Sequence, residues 1–143
     1  MASPSVCLVT AAVLILLGVG CAAAGQNPCP EGTDPFTELN VYFGQEKGDG
    51  GTVTEEEWRA FLAETVTPRF PDGLTVLDAR GQWFDTSEGR LYVESTKLLN
   101  VLVPADSTDA GMESVRQISD TYKQRFDQQA VFITNLPACA TVY

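Results

Sequence analysis

Between Thr37 and Thr134 the apolar residues switch from strand spacing to helix spacing and back, twice over, and that order leaves few folds open. Thr37 to Gly44 alternates, with Leu39, Val41 and Phe43 on one side and Glu38, Asn40 and Tyr42 on the other, as in a strand with one buried face. Gly48, Asp49, Gly50 and Gly51 then make a polar turn that lacks the spacing and the Lys-Ser/Thr pair of a phosphate-binding loop. Thr54-Glu55-Glu56-Glu57 has the form of a capping box, with acids gathered at the positive end of a helix. Trp58, Phe61, Leu62, Thr65 and Val66 follow as one buried stripe. Pro68 ends the helix, because proline disfavours helical geometry in the residue before it.

Phe70-Pro71-Asp72-Gly73 is turn chemistry, and a strand runs from Leu74 to Phe84. Thr75, Leu77, Ala79, Gly81 and Trp83 share one of its faces, and Leu74, Val76, Asp78, Arg80 and Gln82 share the other. Asp85 to Gly89 forms a hairpin loop. The return strand, Arg90 to Val103, is expected to be interrupted near Glu94-Ser95-Thr96. Leu98 to Val103 is apolar on both sides, as in a central strand covered on both faces. A second helix is expected over Asp109 to Phe126, capped by Ser107 or Asp109, with Met112, Val115, Ile118, Tyr122 and Phe126 inward. Ala130 to Thr134 is the last strand.

Strand, helix, strand, strand, helix, strand (βαββαβ) is the order of an α+β ferredoxin-like sandwich, a four-stranded antiparallel sheet with two helices on one face. In its usual strand order the first and third strands are central and the fourth lies antiparallel beside the first. The start of the first strand and the end of the fourth then meet at one end of the sheet, where Cys29 and Cys139 fall. In an oxidising compartment that pair reads as a single disulfide.

The first residues point to such a compartment. Positions 1–24 carry no Lys, Arg, Asp or Glu and contain the apolar run Val6 to Val19, the pattern of an export signal without a basic n-region. The run is shorter than the ~20 residues of a membrane-spanning helix, which favours a signal over an anchor. Gly18-Val19-Gly20-Cys21 has the outline of a lipobox, with Cys21 as the lipidation site, although Gly18 stands where such boxes usually carry Leu. Ala22-Ala23-Ala24 offers ordinary cleavage instead, and a single lipid chain would bind a membrane only marginally. The chain thus divides into a signal (1–24), a Pro- and Gly-rich tether (25–36) and one domain (37–140), exported to the periplasm or beyond.

All the charged residues lie after the signal, so the formal charge of −10 belongs to the domain and opposes binding to nucleic acid or anionic membranes. With no histidine in the chain, zinc centres and catalytic triads of the familiar kind are not expected, and neither a metal nor a cofactor is implied.

Val41-Tyr42-Phe43-Gly44, Trp58-Arg59-Ala60-Phe61-Leu62, Thr67-Pro68-Arg69-Phe70-Pro71-Asp72-Gly73-Leu74-Thr75-Val76, Asp78-Ala79-Arg80-Gly81-Gln82-Trp83 and Glu94-Ser95-Thr96-Lys97 together resemble the bacterial domain-of-unknown-function family numbered 3574. Its similar members are small exported proteins, often assigned as lipoproteins. The resemblance spans roughly Thr37 to Cys139 and brings no established activity with it.

The candidate binding face comprises Tyr42, Asp78, Arg80, Gln82, Glu94 and Lys97, with Arg69 nearby at the turn. Asn40 and Tyr42 are expected to share the helix-free face with Asp78, Arg80 and Gln82, whereas Trp58 and Trp83 are expected to pack against the helices. Arg80 has the fork to grip a carboxylate or phosphate, and Asp78 can hold it in place or act as a base. The plainer reading is a charged outer face with cross-strand ion pairs. Three functions stay open: a binding domain for a small ligand or protein on the open sheet face; a dimeric α+β barrel enzyme whose cavity Asp78, Arg80 and Tyr42 line; and a structural or assembly factor without a pocket. The two-sided apolar third strand favours burial of the open face against a second copy or a protein partner.

Overall fold

The computed structural model describes residues 28–142, so the signal, Cys7 and the candidate lipidation site Cys21 lie outside the described residues. Strand β1 (Asp34–Gly44) leads through a polar loop to helix α1 (Glu55–Phe61), a π-helical turn over Leu62–Val66 and a 3-10 turn over Thr67–Arg69. The hairpin of β2 (Thr75–Asp85) and β3 (Arg90–Pro104) follows, then α2 (Thr108–Phe126) and β4 (Phe132–Ala140). The sheet order is β2-β3-β1-β4, with every neighbouring pair antiparallel. The fold is the expected ferredoxin-like sandwich, with β3 and β1 central.

The capping box forms as the sequence requires. The Thr54 hydroxyl accepts from the Glu57 amide at 3.2 Å, and the Glu57 carboxylate accepts from the Thr54 amide at 2.8 Å. Lys47 adds a 2.8 Å ion pair, and these contacts, led by the Lys47 bond, draw the Glu57 carboxyl down to about 2. Trp58, Phe61, Thr65 and Val66 all stay inward as the chain passes into the π turn before Pro68, and the Arg69 guanidinium donates back to the Thr65 carbonyl at 2.7 Å. A simple α-helix to Pro68 was the expectation; the π turn replaces its second half.

The extents of the strands also differ from the sequence reading. β1 begins at Asp34, inside the expected tether, because Asp34 to Phe36 pair with Ala138 to Ala140. β4 runs on to Ala140 through Pro137, which an edge strand tolerates because it has no second neighbour to serve. β3 is continuous through Glu94-Ser95-Thr96, where polarity reflects exposure rather than a break. No side chain of Ser107 or Asp109 caps α2. Instead a 3-10 turn over Ala105–Ser107 feeds the helix, and the Thr108 hydroxyl donates to the Ala105 carbonyl at 2.9 Å.

The core lies between the helices and one sheet face. Leu39, Val41, Phe43 and Leu99 have no exposed surface, and Val115, Ile118 and Tyr122 of α2 meet them. Phe43 lies 4.6 Å from the Tyr122 ring and 5.4 Å from Trp58 between centroids. The buried Tyr122 hydroxyl donates to the Gly44 carbonyl at 2.8 Å and accepts from Gln45 at 2.9 Å. Burial raises its pKa well above the usual tyrosine range. Gly111 lets α2 approach the sheet, since a β-carbon there would stand 3.0 Å from Leu39 and 3.2 Å from Val103. At the far end of the sheet Cys29 and Cys139 are joined, with α-carbons 5.6 Å apart, closing β1 and β4 together as their placement suggested.

Candidate functional site

The strand register decides which face each candidate residue occupies. Leu99 is fully buried beneath the helices and pairs with Val41 on β1 and Val76 on β2. Val76 therefore faces the helices, and so do the alternate residues after it, Asp78, Arg80 and Gln82. Tyr42 pairs with Leu98, next to Leu77, on the opposite face. The expectation that Asp78, Arg80 and Gln82 share the helix-free face with Tyr42 is thus corrected. The polar side chains are tolerated on the helix side because the hairpin extends past the helices, leaving Phe84, Leu91 and Val93 on that same side half exposed or more.

The same register moves Trp83 out of the core. It is 52% exposed on the open face and stacks on its cross-strand partner Tyr92, with centroids 4.6 Å apart and planes within 10°. Trp58 does pack in the core, as expected. A cavity that unites Asp78, Arg80 and Tyr42, as the barrel-enzyme reading needs, does not exist in one sheet, because Tyr42 points the opposite way.

On the helix side, three of the six candidates come together beyond the start of α1. Asp78, Arg80 and Lys97 line a groove of about 440 Å³ with Gln45, Thr52 and Glu55. Lys97 lies opposite Asp78 in the ladder and is 7% exposed. Its ammonium donates to Glu55 Oε1 at 2.5 Å and to Asp78 Oδ1 at 2.6 Å. Burial disfavours that charge, but the two carboxylate bonds outweigh the desolvation and raise the lysine pKa. Glu55 was not singled out in the sequence. The signal was available in the triple glutamate of the cap, but only the fold brings the first of the three over β3. Gln82 lies farther out along the hairpin, exposed.

On the open face stand Tyr42 and Glu94, together with residues the sequence reading passed over. Leu77 is 51% exposed, Leu102 46%, Leu136 49% and Phe132 75%, and with Trp83 they lie on β2, β3 and β4, while Tyr42 stands on β1. Glu38, Asn40 and Asn100 form a small polar island among them, with Asn100 donating to Glu38 at 2.7 Å and to Asn40 at 2.9 Å. Glu94 lies between glycines. A β-carbon on Gly44 would meet its carboxylate at 2.9 Å, and one on Gly81 would meet its γ-carbon at 3.7 Å. Burial, followed by repulsion from Glu46, raises the Glu94 pKa. Among the described residues no group of three or more His, Cys, Asp or Glu is placed to hold a metal ion.

Comparison with solved structures finds the same fold in distant proteins. A phage SAM lyase in complex with S-methyl-5'-thioadenosine superposes with a TM-score of 0.56 at 16% identity, covering 78% of this chain and 91% of the lyase. The apo form of a phage SAM lyase gives a TM-score of 0.54 at the same identity and coverage. CutA1 from Oryza sativa is weaker, with a TM-score of 0.46 at 14% identity over 74% of this chain and 82% of that one. At 16% identity the likeness to the lyases is one of fold. No curated protein matches the chain. Residues 38–142 match the model of the family described as Protein of unknown function (DUF3574), and the chain belongs to that family.

Proposed function

We propose that this is an exported domain that binds a protein partner on its open sheet face. The observation that carries the reading is the breadth of apolar surface there, from Trp83 on the β2–β3 hairpin to Phe132 and Leu136 on the far edge strand. Exposed apolar residues scattered singly need no explanation, but Leu77, Leu98, Tyr42 and Phe132 are paired in one row across all four strands, and a continuous row of this kind marks an interaction surface. An open sheet face suits a protein better than a small molecule, which needs a concave site. Trp83 and Tyr42 stand on this face, and Trp and Tyr are among the residues most often found as anchors in interfaces. Export is supported by the Cys29–Cys139 disulfide, a bond that persists in oxidising compartments. Lipid anchoring at Cys21 belongs to the same proposal, and replacing Cys21 by Ser followed by cell fractionation tests it.

The face itself is tested by capture from solubilised cell envelopes on immobilised wild-type protein and on a Leu77→Lys/Leu102→Lys variant. Both positions are about half exposed on the open face, so the folded state tolerates the change. A protein retained by the wild type and lost on the variant supports the reading. A partner retained equally by both contradicts it.

A further inference from the structure

Asp78 and Arg80 are not accounted for by the single chain. Arg80 is exposed and makes no hydrogen bond or ion pair among the described residues, and Asp78, with its side chain 85% exposed, spends one oxygen on Lys97. Both stand on β2, an edge strand whose outer side pairs with nothing among the described residues. Natural edge strands are usually blunted by shortness, proline, a bulge or charged side chains, inward-facing ones among them. Of these β2 has only its two charges, Asp78 and Arg80, on the helix-facing side. It is 11 residues long, contains no proline, and pairs with β3 residue for residue from Thr75 to Asp85. Its two charges are opposite in sign and two residues apart on one face.

We propose that β2 pairs antiparallel with β2 of a second copy of this chain, about a two-fold axis through Ala79. Continuing the sheet with all helices on one side requires the axis to pass through a residue, because directly opposed side chains share a face. An axis through residue 78 would oppose the two Asp78 carboxylates, and one through residue 80 would oppose the two Arg80 guanidinium groups. The axis through Ala79 sets Asp78 against the partner's Arg80, twice. Each Asp78 then lies between Lys97 on one side and the partner's Arg80 on the other, extending the row from Glu55 through Lys97 into charges of alternating sign across three strands. On the opposite face Leu77 meets the partner's Gly81, and Trp83 meets the partner's Thr75. The product is an eight-stranded sheet whose two open faces are continuous, so the dimer doubles the surface proposed above for a protein partner without covering it.

Sedimentation of the purified protein tests the pairing. Wild type is expected to sediment as a dimer. Arg80→Asp, which breaks no ion pair within the chain, places like charges opposite one another and is expected to weaken the dimer at least ten-fold. Asp78→Arg is expected to do the same, and an equimolar mixture of the two variants is expected to restore the dimer, with unlike charges opposed again. Because Asp78→Arg also disturbs Lys97, an independent measurement uses Ala79→Cys. Residues directly opposed across an antiparallel pair have β-carbons ~4.5–5.5 Å apart, so mild oxidation is expected to cross-link Ala79→Cys across the axis and to leave Leu77→Cys uncross-linked. A monomeric wild type, an Arg80→Asp variant that dimerises as tightly as wild type, or cross-linking no better at 79 than at 77 overturns the proposal.

Discussion

Glu57 and Glu94 show how differently one fold treats the same side chain. Glu57 is held below its ordinary 4.5 by Lys47 and by the Thr54 amide, so its contribution to stability is present above pH 4.5 and is lost as pH falls toward 2. Glu94 is raised by burial and by Glu46, so its ionised form costs stability at neutral pH, and the cost is relieved as pH falls through its folded pKa. Glu94→Gln is therefore expected to stabilise the protein at pH 7 by on the order of 0.5 kcal/mol after solvent screening. That gain should vanish below pH 4.5, where the unfolded-state glutamate is protonated too. Urea unfolding at the two pH values reads the difference, and a gain that persists in acid contradicts the assignment. Thr54→Ala removes the cap and should cost about 1 kcal/mol by the same assay. The capping box was legible in sequence because its two bonds are local. Glu94 was picked out, but its strain was not legible, because Gly44 and Gly81 close around it only once three strands are paired.

At the scale of elements, strand and helix periods recovered every segment, while the choice of face went wrong in β2. A period of two separates a strand's residues into two sets and does not say which set the helices cover. Trp83 invites the core assignment by its size. The register, however, pairs Val76 with the buried Leu99, so Asp78 falls toward α1 and the aromatic falls on the open face. The π turn was equally invisible, because Trp58, Phe61, Thr65 and Val66 fit an α-helical stripe nearly as well as the widened one. Packing between elements yields two expectations. Gly111→Val should overpack the contact of α2 with Leu39 and Val103 and cost about 1–3 kcal/mol, read from the urea midpoint. Tyr122→Phe removes the hydroxyl that joins α2 to the end of β1 and should cost about 1–2 kcal/mol, leaving the aromatic cluster in place. An unchanged midpoint in either variant would show that the helix docks elsewhere.

The whole molecule is closed at one sheet end by Cys29–Cys139 and open at the other, where the β2–β3 hairpin reaches past the helices. The disulfide was legible because topology and cysteine placement agree. Closing a loop of 110 residues, it is expected to contribute about 4–5 kcal/mol in the chain-entropy model, so Cys29→Ser/Cys139→Ser should unfold at markedly lower urea with its fold otherwise kept. A midpoint unchanged by the double substitution would mean that the two ends are held together without it. The functional surface was less legible, since it depends on which residues share a face rather than on any motif. Trp83 reports on that surface by itself once Trp58 is replaced by Phe. Acrylamide quenching of the Trp58→Phe protein is the most direct measurement: the open-face assignment requires a red-shifted emission that is strongly quenched in the free protein. A blue-shifted, shielded Trp83 in the free protein would place it in the core and contradict the account.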